Sequence, residues 1–296
     1  MSQVFSAPRN RGPRHAFFSV VGWRSGAKRH CSSEAEPARS LVRGAASLVL
    51  TASLVAGSAT AVRAQGEPLR FLVSNGVKAA LVAVAPACEA STGAKLAADY
   101  GTSSALRARA ESGAPFDVAF MTVDVIDALA TGGAIQPTSR TVVAKSLIGV
   151  GVREGAPVPD LRTADAVRTA LLATSSVTYA TDGASRPFIE KMFERLGIAA
   201  QVKAKTHPEQ GSTRATARVV EGHTGVVLTL ISEIVPVAGL RLVGALPREF
   251  QGEVTFAAGV GAKSARPEVA RTMIDCLTAP ATETAYKKVG LEREHR

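Results

Sequence analysis

From Leu69 onward the chain alternates short apolar runs with stretches in which apolar residues recur every three or four positions. The runs predict buried strands, and the 3.6-residue recurrence predicts amphipathic helices. Leu69–Ser74 reads as a strand, Val77–Ser91 as a helix ending at Thr92-Gly93, Lys95–Tyr100 as a strand and Ser104–Ser112 as a helix closing at Gly113. Phe116–Met121 reads as a third strand, followed by a helix over Val123–Ala130 that stops at Gly132-Gly133. The β-rich stretch Thr141–Arg153 opens a second set. It comprises helix Thr163–Ala173, strand Ser176–Ala180, helix Ser185–Leu196, strand Gln201–Thr206, helix Ser212–Glu221 and strand Gly225–Thr229. Extended segments at Arg241–Leu246 and Glu253–Gly261 then lead into two closing helices, Pro267–Leu277 and Pro280–Val289.

Strands that are apolar on both faces and alternate with helices imply mixed, mostly parallel sheets flanked by helices, an α/β fold. Two such sets joined by two long β-rich crossings imply two lobes with the crossings as hinge. Residues 65–146 with 251–296 are expected to form lobe I, and 147–250 lobe II. Ligands of open α/β sheets bind beyond the carboxyl ends of the strands, which here face each other across a cleft.

Residues 1–64 stand apart. Gly44–Val62 is a charge-free run rich in Ala, Ser, Leu, Val, Gly and Thr, preceded by Arg39 and Arg43 and followed by Arg63-Ala64. This reads as a signal peptide cleaved after Ala64, which predicts export to the periplasm with Gln65 first in the mature chain. Signal peptides begin close to their charges, and no methionine separates Met1 from Met121. Translation is therefore expected to start near Leu41 or Val42 at a non-ATG codon, with residues 1–40 a mis-assigned start.

Charge changes meaning once it is divided. The chain of 296 residues carries a formal +10, but nine Lys/Arg and two acids lie before Gln65, which leaves the body only +3. With aromatics at 5%, nothing in the body supports nucleic-acid binding. A hydrophobic content of 46% is ample for a sizeable core. Cys88 and Cys276 sit at helical spacings with Leu81 and Val84, and with Met273 and Leu277. They read as small buried hydrophobes, with a disulfide as the alternative. No CxxC, HExxH or His/Asp/Glu cluster calls for a metal, and no motif calls for a cofactor.

The chemistry is expected at four strand-to-helix junctions: Ser74-Asn75-Gly76, Gly101-Thr102-Ser103-Ser104, Thr181-Asp182-Gly183-Ala184-Ser185 and Gln210-Gly211-Ser212-Thr213. A helix start exposes backbone N–H groups and about half a positive charge. Small side chains let an anion reach those groups, and hydroxyls add donors. The ordinary alternative is N-capping, which Ser, Thr, Asp and Asn provide in any α/β protein. Arg186 and Arg214 follow two of the junctions and could pair with a carboxylate, or simply face solvent.

Leu72-Val73-Ser74-Asn75-Gly76, Tyr100-Gly101-Thr102-Ser103-Ser104-Ala105-Leu106-Arg107 and Glu111-Ser112-Gly113-Ala114-Pro115-Phe116-Asp117-Val118 together resemble the periplasmic molybdate-binding proteins. These are substrate-binding components of ABC importers. The resemblance extends from Leu69 to about Glu292, and Thr102–Val118 is its most specific part. It implies a two-lobed, type II-like periplasmic binding fold that closes on a small anion, with an inner-membrane ABC permease as partner and a monomeric state. It places ligand contacts at Ser103 or Ser104, near Gly76 with Ser74 and Asn75 beside it, near Gly183, Ala184 and Ser185, and near Ser212 and Thr213, and the junction pattern itself adds Thr102 and Arg186. Gly76 carries no hydroxyl, and Leu228 stands where molybdate binders tend to place a tyrosine. Both departures point to an enlarged site and to an organic carboxylate ahead of a tetrahedral oxyanion.

An enzyme on the same fold would draw on Asp117, Asp124, Asp127, His207 and His223. No Gly-x-Ser-x-Gly elbow or nucleophile–base pair accompanies them, so a catalytic role is not expected. The alternative remains a periplasmic enzyme or an effector-binding sensor domain.

Overall fold

A computed structural model describes residues 66–293. The expected signal peptide, its cleavage point and the translation start near Leu41 lie outside the described residues. None of the described helices is long and apolar enough to cross a membrane.

The first half runs β1 (Leu69–Ser74), α1 (Asn75–Thr92), β2 (Leu96–Gly101), α2 (Ser103–Glu111), β3 (Val118–Thr122) and α3 (Val123–Thr131). The long strand β4 (Thr141–Arg153) follows, then α4 (Ala164–Ala173), β5 (Val177–Ala180), α5 (Arg186–Arg195), α6 (Ala199–Lys203) and β6 (Thr206–Glu209). Next come α7 (Ser212–Val220), β7 (Val226–Leu230), α8 (Ile231–Ile234), β8 (Leu240–Ala245) and β9 (Glu253–Val260). The last elements are α9 (Pro267–Leu277), α10 (Glu283–Lys288) and β10 (Glu292–Arg293).

The strands form a path β2-β1-β3-β9-β4-β7-β5-β6, with β8 and β10 also paired to β4. Within it, β1, β2 and β3 are parallel, as are β5, β6 and β7. The fold is therefore α/β and two-lobed, each lobe a mixed sheet flanked by helices. Strand β4 belongs to both lobes. Thr141–Leu147 pairs antiparallel with β9, while Ile148–Val152 pairs with β7. At the changeover the Gln251 side chain takes the place of a strand neighbour. Its Oε1 accepts the Ile148 N–H at 2.7 Å, and its Nε2 donates to the carbonyls of Ile148 and Leu246 at 3.1 Å.

Helix α1 forms because Val77, Ala80, Leu81, Val84 and Cys88 make one apolar stripe, and all five are buried. Gly93, at φ 70°, ends the helix with a left-handed turn whose N–H bonds the Glu89 carbonyl. Strands β3 and β7 are buried at every position, as expected for apolar runs covered on both faces.

Three expectations need correction. Gln201–Thr206 is not a strand: α6 ends at Lys203 and β6 covers Thr206–Glu209. Ile198 and Val202, four positions apart and fully buried, set a helical turn that outweighs the period-2 look of the segment. The helix expected over Pro280–Val289 is a 3₁₀ turn at Pro280–Thr282 followed by α10. Cys88 and Cys276 are not free core thiols but a disulfide, with Cα atoms 5.7 Å apart. Helices α1 and α9 pack side by side, which brings the two stripes together across 188 positions. Periodicity placed each cysteine on a face without showing that the two faces meet.

Candidate interlobe site

The four junctions are not dispersed. Asn75, the first residue of α1, donates from Nδ2 to the Ser212 hydroxyl, the first residue of α7, at 3.2 Å. Thr102, at the start of α2, donates to Asp182 Oδ2 at 2.7 Å, and Ser104 donates to the Asp182 carbonyl at 2.8 Å. Asp182 Oδ1 accepts the Gly211 N–H at 2.8 Å. Gly211 sits at φ 82°, a conformation that glycine adopts without strain, and this presents its N–H to the carboxylate. The junctions of α1 and α2, from the first sheet, thus meet those of α5 and α7, from the second.

Capping does not explain most of these side chains. Thr102 does cap α2, accepting the Ala105 N–H at 3.3 Å. Ser74 and Ser185 stand before α1 and α5 without any side-chain cap bond, and both are buried. Ser103 has a scaffolding contact instead, its Oγ accepting the Thr122 N–H at 3.0 Å. Gly183 packs on Ala180, and Ala184 packs against the main core. Thr213 is exposed at the second position of α7. Arg186 is exposed and already engaged, with Nε on Glu190 and Nη1 on the Thr181 carbonyl, each at 2.8 Å.

Gly76 is buried, but its missing side chain leaves no extra room. A Cβ there would lie 2.3 Å from Cζ of Phe256 and 3.1 Å from Leu230 Cδ1, so an aromatic ring fills the space beside the α1 start. Leu228 is fully buried in the core of β7. Neither departure enlarges the site as expected. Both replace a potential donor with apolar contact.

Two carboxylates dominate the contact, and the sequence reading assigned neither to the site. Asp182 lay within a junction without a role of its own. Glu233, on the single-turn helix α8, accepts from the Ser212 hydroxyl at 2.8 Å and from the Thr229 hydroxyl. Burial pushes the Glu233 carboxyl above its ordinary range, and the Asp182 charge adds to the rise. The hydroxyls of Thr229 and Ser212 and a backbone N–H work in the opposite direction. The residue as a whole is only partly buried, but its carboxyl head is enclosed. Among the described residues, no group of three or more His, Cys, Asp or Glu is placed to hold a metal.

Asp117 and Asp127 lie away from this contact in structural roles. Asp117 accepts from the Arg70 N–H and the Ser264 hydroxyl, and Asp127 pairs with Arg140. A cavity of about 680 Å³ opens at the other ends of β1 and β3, lined by Pro68, Phe116, Leu129 and Lys263 among others. It includes none of the junction residues.

Residues 69–292 match the family described as bacterial extracellular solute-binding protein. The chain belongs to that family. A relative from a Pseudomonas species, named aconitate isomerase, is 30% identical over 253 residues, covering 83% of this chain and 95% of the relative. Among solved structures, the periplasmic molybdate-binding protein of Azotobacter vinelandii aligns with a TM-score of 0.65 at 16% identity, over 77% of this chain and all of that one. The sulfate-binding protein SubI of Mycobacterium tuberculosis aligns with a TM-score of 0.62 at 16% identity, over 76% and 86%. The resemblance to molybdate-binding proteins thus holds for the fold, and the family is an extracellular solute-binding one.

Proposed function

We propose that the protein is exported through a signal peptide cleaved after Ala64 and serves as the substrate-binding component of an ABC importer. In this reading it captures a small organic carboxylate between its lobes, as a monomer, and delivers it to a permease in the inner membrane. The observation that carries the reading is the convergence of the starts of α1, α2 and α7 on one interlobe contact. Helix starts offer N–H groups suited to an anion, and here Thr102 already takes that of Ala105 and Asp182 that of Gly211. Lobe I as residues 65–146 and 251–296, and lobe II as 147–250, belong to the same proposal.

A carboxylate is favoured over molybdate or sulfate by two supports. Phe256 and Leu230 give the α1 start an apolar wall, which suits a carbon skeleton better than a bare oxyanion. The relative at 30% identity is named for aconitate, an organic carboxylate.

That name and Glu233 also support a second reading, an isomerase acting on an unsaturated carboxylate. An enclosed carboxyl with a raised pKa is suited to accept and return a proton. The two readings separate experimentally. Protein starting at Gln65 is screened by thermal shift against aconitate isomers, citrate, malate, molybdate and sulfate. A ligand at a hundred times its dissociation constant adds about 2.7 kcal/mol. Stabilisation by carboxylates with unchanged ligand NMR spectra supports the importer reading, and conversion of one aconitate isomer into the other supports the isomerase. A response to molybdate alone overturns the carboxylate assignment, and no response to any anion overturns the cleft. Export is tested by fusing residues 1–64 to a reporter active only outside the cytoplasm. A silent reporter on a stably expressed fusion rejects it.

A further inference from the structure

The hydrogen bonds of the interlobe contact have a direction, and that direction restricts what can bind. A hydroxyl has one proton to give. Asn75 donates to Ser212, and Ser212 passes its own proton to Glu233 Oε1. Thr229 donates to Glu233 Oε2. On the facing lobe, Thr102 gives its proton to the Asp182 carboxylate and Ser104 gives its proton to the Asp182 carbonyl. Four hydroxyls that would otherwise donate to an anion are therefore already donating to the protein. Toward a ligand they present lone pairs, beside the Asp182 oxygens, which accept from Thr102 and Gly211, and the Glu233 oxygens, which accept from Ser212 and Thr229. Burial raises the Glu233 pKa, so this carboxyl is a pure acceptor only above that raised value.

The Glu233 half of the network survives any separation of the lobes. Ser212, Thr229 and Glu233 lie on α7, β7 and α8, within 22 positions of one another and on one sheet. The Thr102–Asp182 bond does span the lobes, so a ligand entering there must offer Asp182 a replacement proton. A proton-free oxyanion offers none. It would set oxygen lone pairs against carboxylate lone pairs, and an unmatched buried polar contact of this kind is costly.

We propose that Asp182 and Glu233 are specificity-determining residues, which make the cleft prefer an anion that also carries an O–H group, such as a hydroxycarboxylate, over proton-free anions of similar size and charge, ionised aconitate among them. The inference rests on the carboxylate reading above. In it, the helix starts hold the anionic arm, and Asp182, Glu233 and the polarised Ser212 and Thr102 oxygens accept the ligand O–H.

The test compares ligands that differ by one hydroxyl, citrate against tricarballylate and malate against succinate. Binding to the mature wild-type chain is measured by isothermal titration calorimetry, with molybdate and sulfate alongside. The hydroxylated member of a pair is expected to bind about tenfold or more tighter, the scale of one hydrogen bond to a charged group. In D182N, where an amide NH₂ replaces an acceptor oxygen, that preference is expected to shrink to about twofold or less, with affinity for the proton-free partner rising, and E233Q is expected to do the same at pH values where Glu233 is ionised. If the variants do not fold, the wild-type ratio alone decides. Equal affinities within each pair overturn the inference while leaving the carboxylate reading intact. A preference that persists in both variants overturns the assignment to these two residues. Tighter binding of molybdate or sulfate than of any hydroxycarboxylate overturns it as well. If no carboxylate binds at all, the inference and the reading fall together.

Discussion

Thr102 and Asp182, eighty positions apart in the chain, share a 2.7 Å hydrogen bond, and the other Asp182 oxygen holds the Gly211 N–H. One carboxylate thus grips both edges of the cleft. Such bonds to a charged group contribute about 1.5–3 kcal/mol each. Ligand-free D182A and T102V are therefore expected to populate more open lobes than the wild type. Small-angle X-ray scattering should show a larger radius of gyration for both variants. Superimposable curves would show that the bond does not hold the lobes together.

Replacing Gly76 by serine would restore a hydroxyl at the start of α1, but its Cβ would meet the Phe256 ring at 2.3 Å. Overpacking of this kind costs about 1–3 kcal/mol. G76S is expected to lower the urea midpoint accordingly, and F256L is expected to recover part of the loss when combined with it. Additive losses in the double variant would mean that the ring is not the obstacle.

The Cys88–Cys276 bond joins α1 to α9 and closes a loop spanning most of the described chain. Removing it as C88S/C276S is expected to cost about 2–5 kcal/mol, chiefly by freeing the unfolded chain. Urea unfolding of the double variant should match that of the reduced wild type. Unchanged stability on reduction would contradict the assignment.

Glu233 has its pKa raised in the folded protein by burial, with Asp182 contributing. A folded state that holds this proton more tightly than the unfolded chain loses stability as pH rises above the unfolded value, ordinarily about 4.3, until the folded value is passed. Glutamine at this position does not titrate. The stability of E233Q relative to wild type is thus expected to improve as pH climbs through that window and then to level off. A difference that stays constant from pH 4 to 8 would rule out the raised pKa.

The parts of this protein that could be read from sequence are those with long, unambiguous patterns. The 13-residue strand β4 and the 11-residue helix α9 declare themselves through continuous β-rich composition and through a clean apolar stripe after Pro267. The junctions of α1, α2 and α7 were visible as clusters of small polar residues at strand ends. Glu233 was not, because α8 spans four residues and gives no periodicity. A lone acid three positions beyond the apolar strand Val226–Leu230 was the only signal available. Asp182 was hidden for a different reason: aspartate before a helix looks like a cap, and only the partner from the other lobe reveals its role. Likewise, no local pattern could pair Cys88 with Cys276, or seat Phe256 against Gly76.

Gln251 has a mechanical consequence. The two lobes are joined by two threads of chain, one through Leu147-Ile148 in β4 and one from Leu246 to Glu253, and this one amide ties both at the same point. Two cords knotted together resist being pulled apart or slid past each other, yet they leave twisting about the knot almost free. Motion between the lobes is therefore expected to be a swivel about this amide rather than a separation. The leverage of that swivel falls on the far rim, where a single carboxylate can act as the clasp.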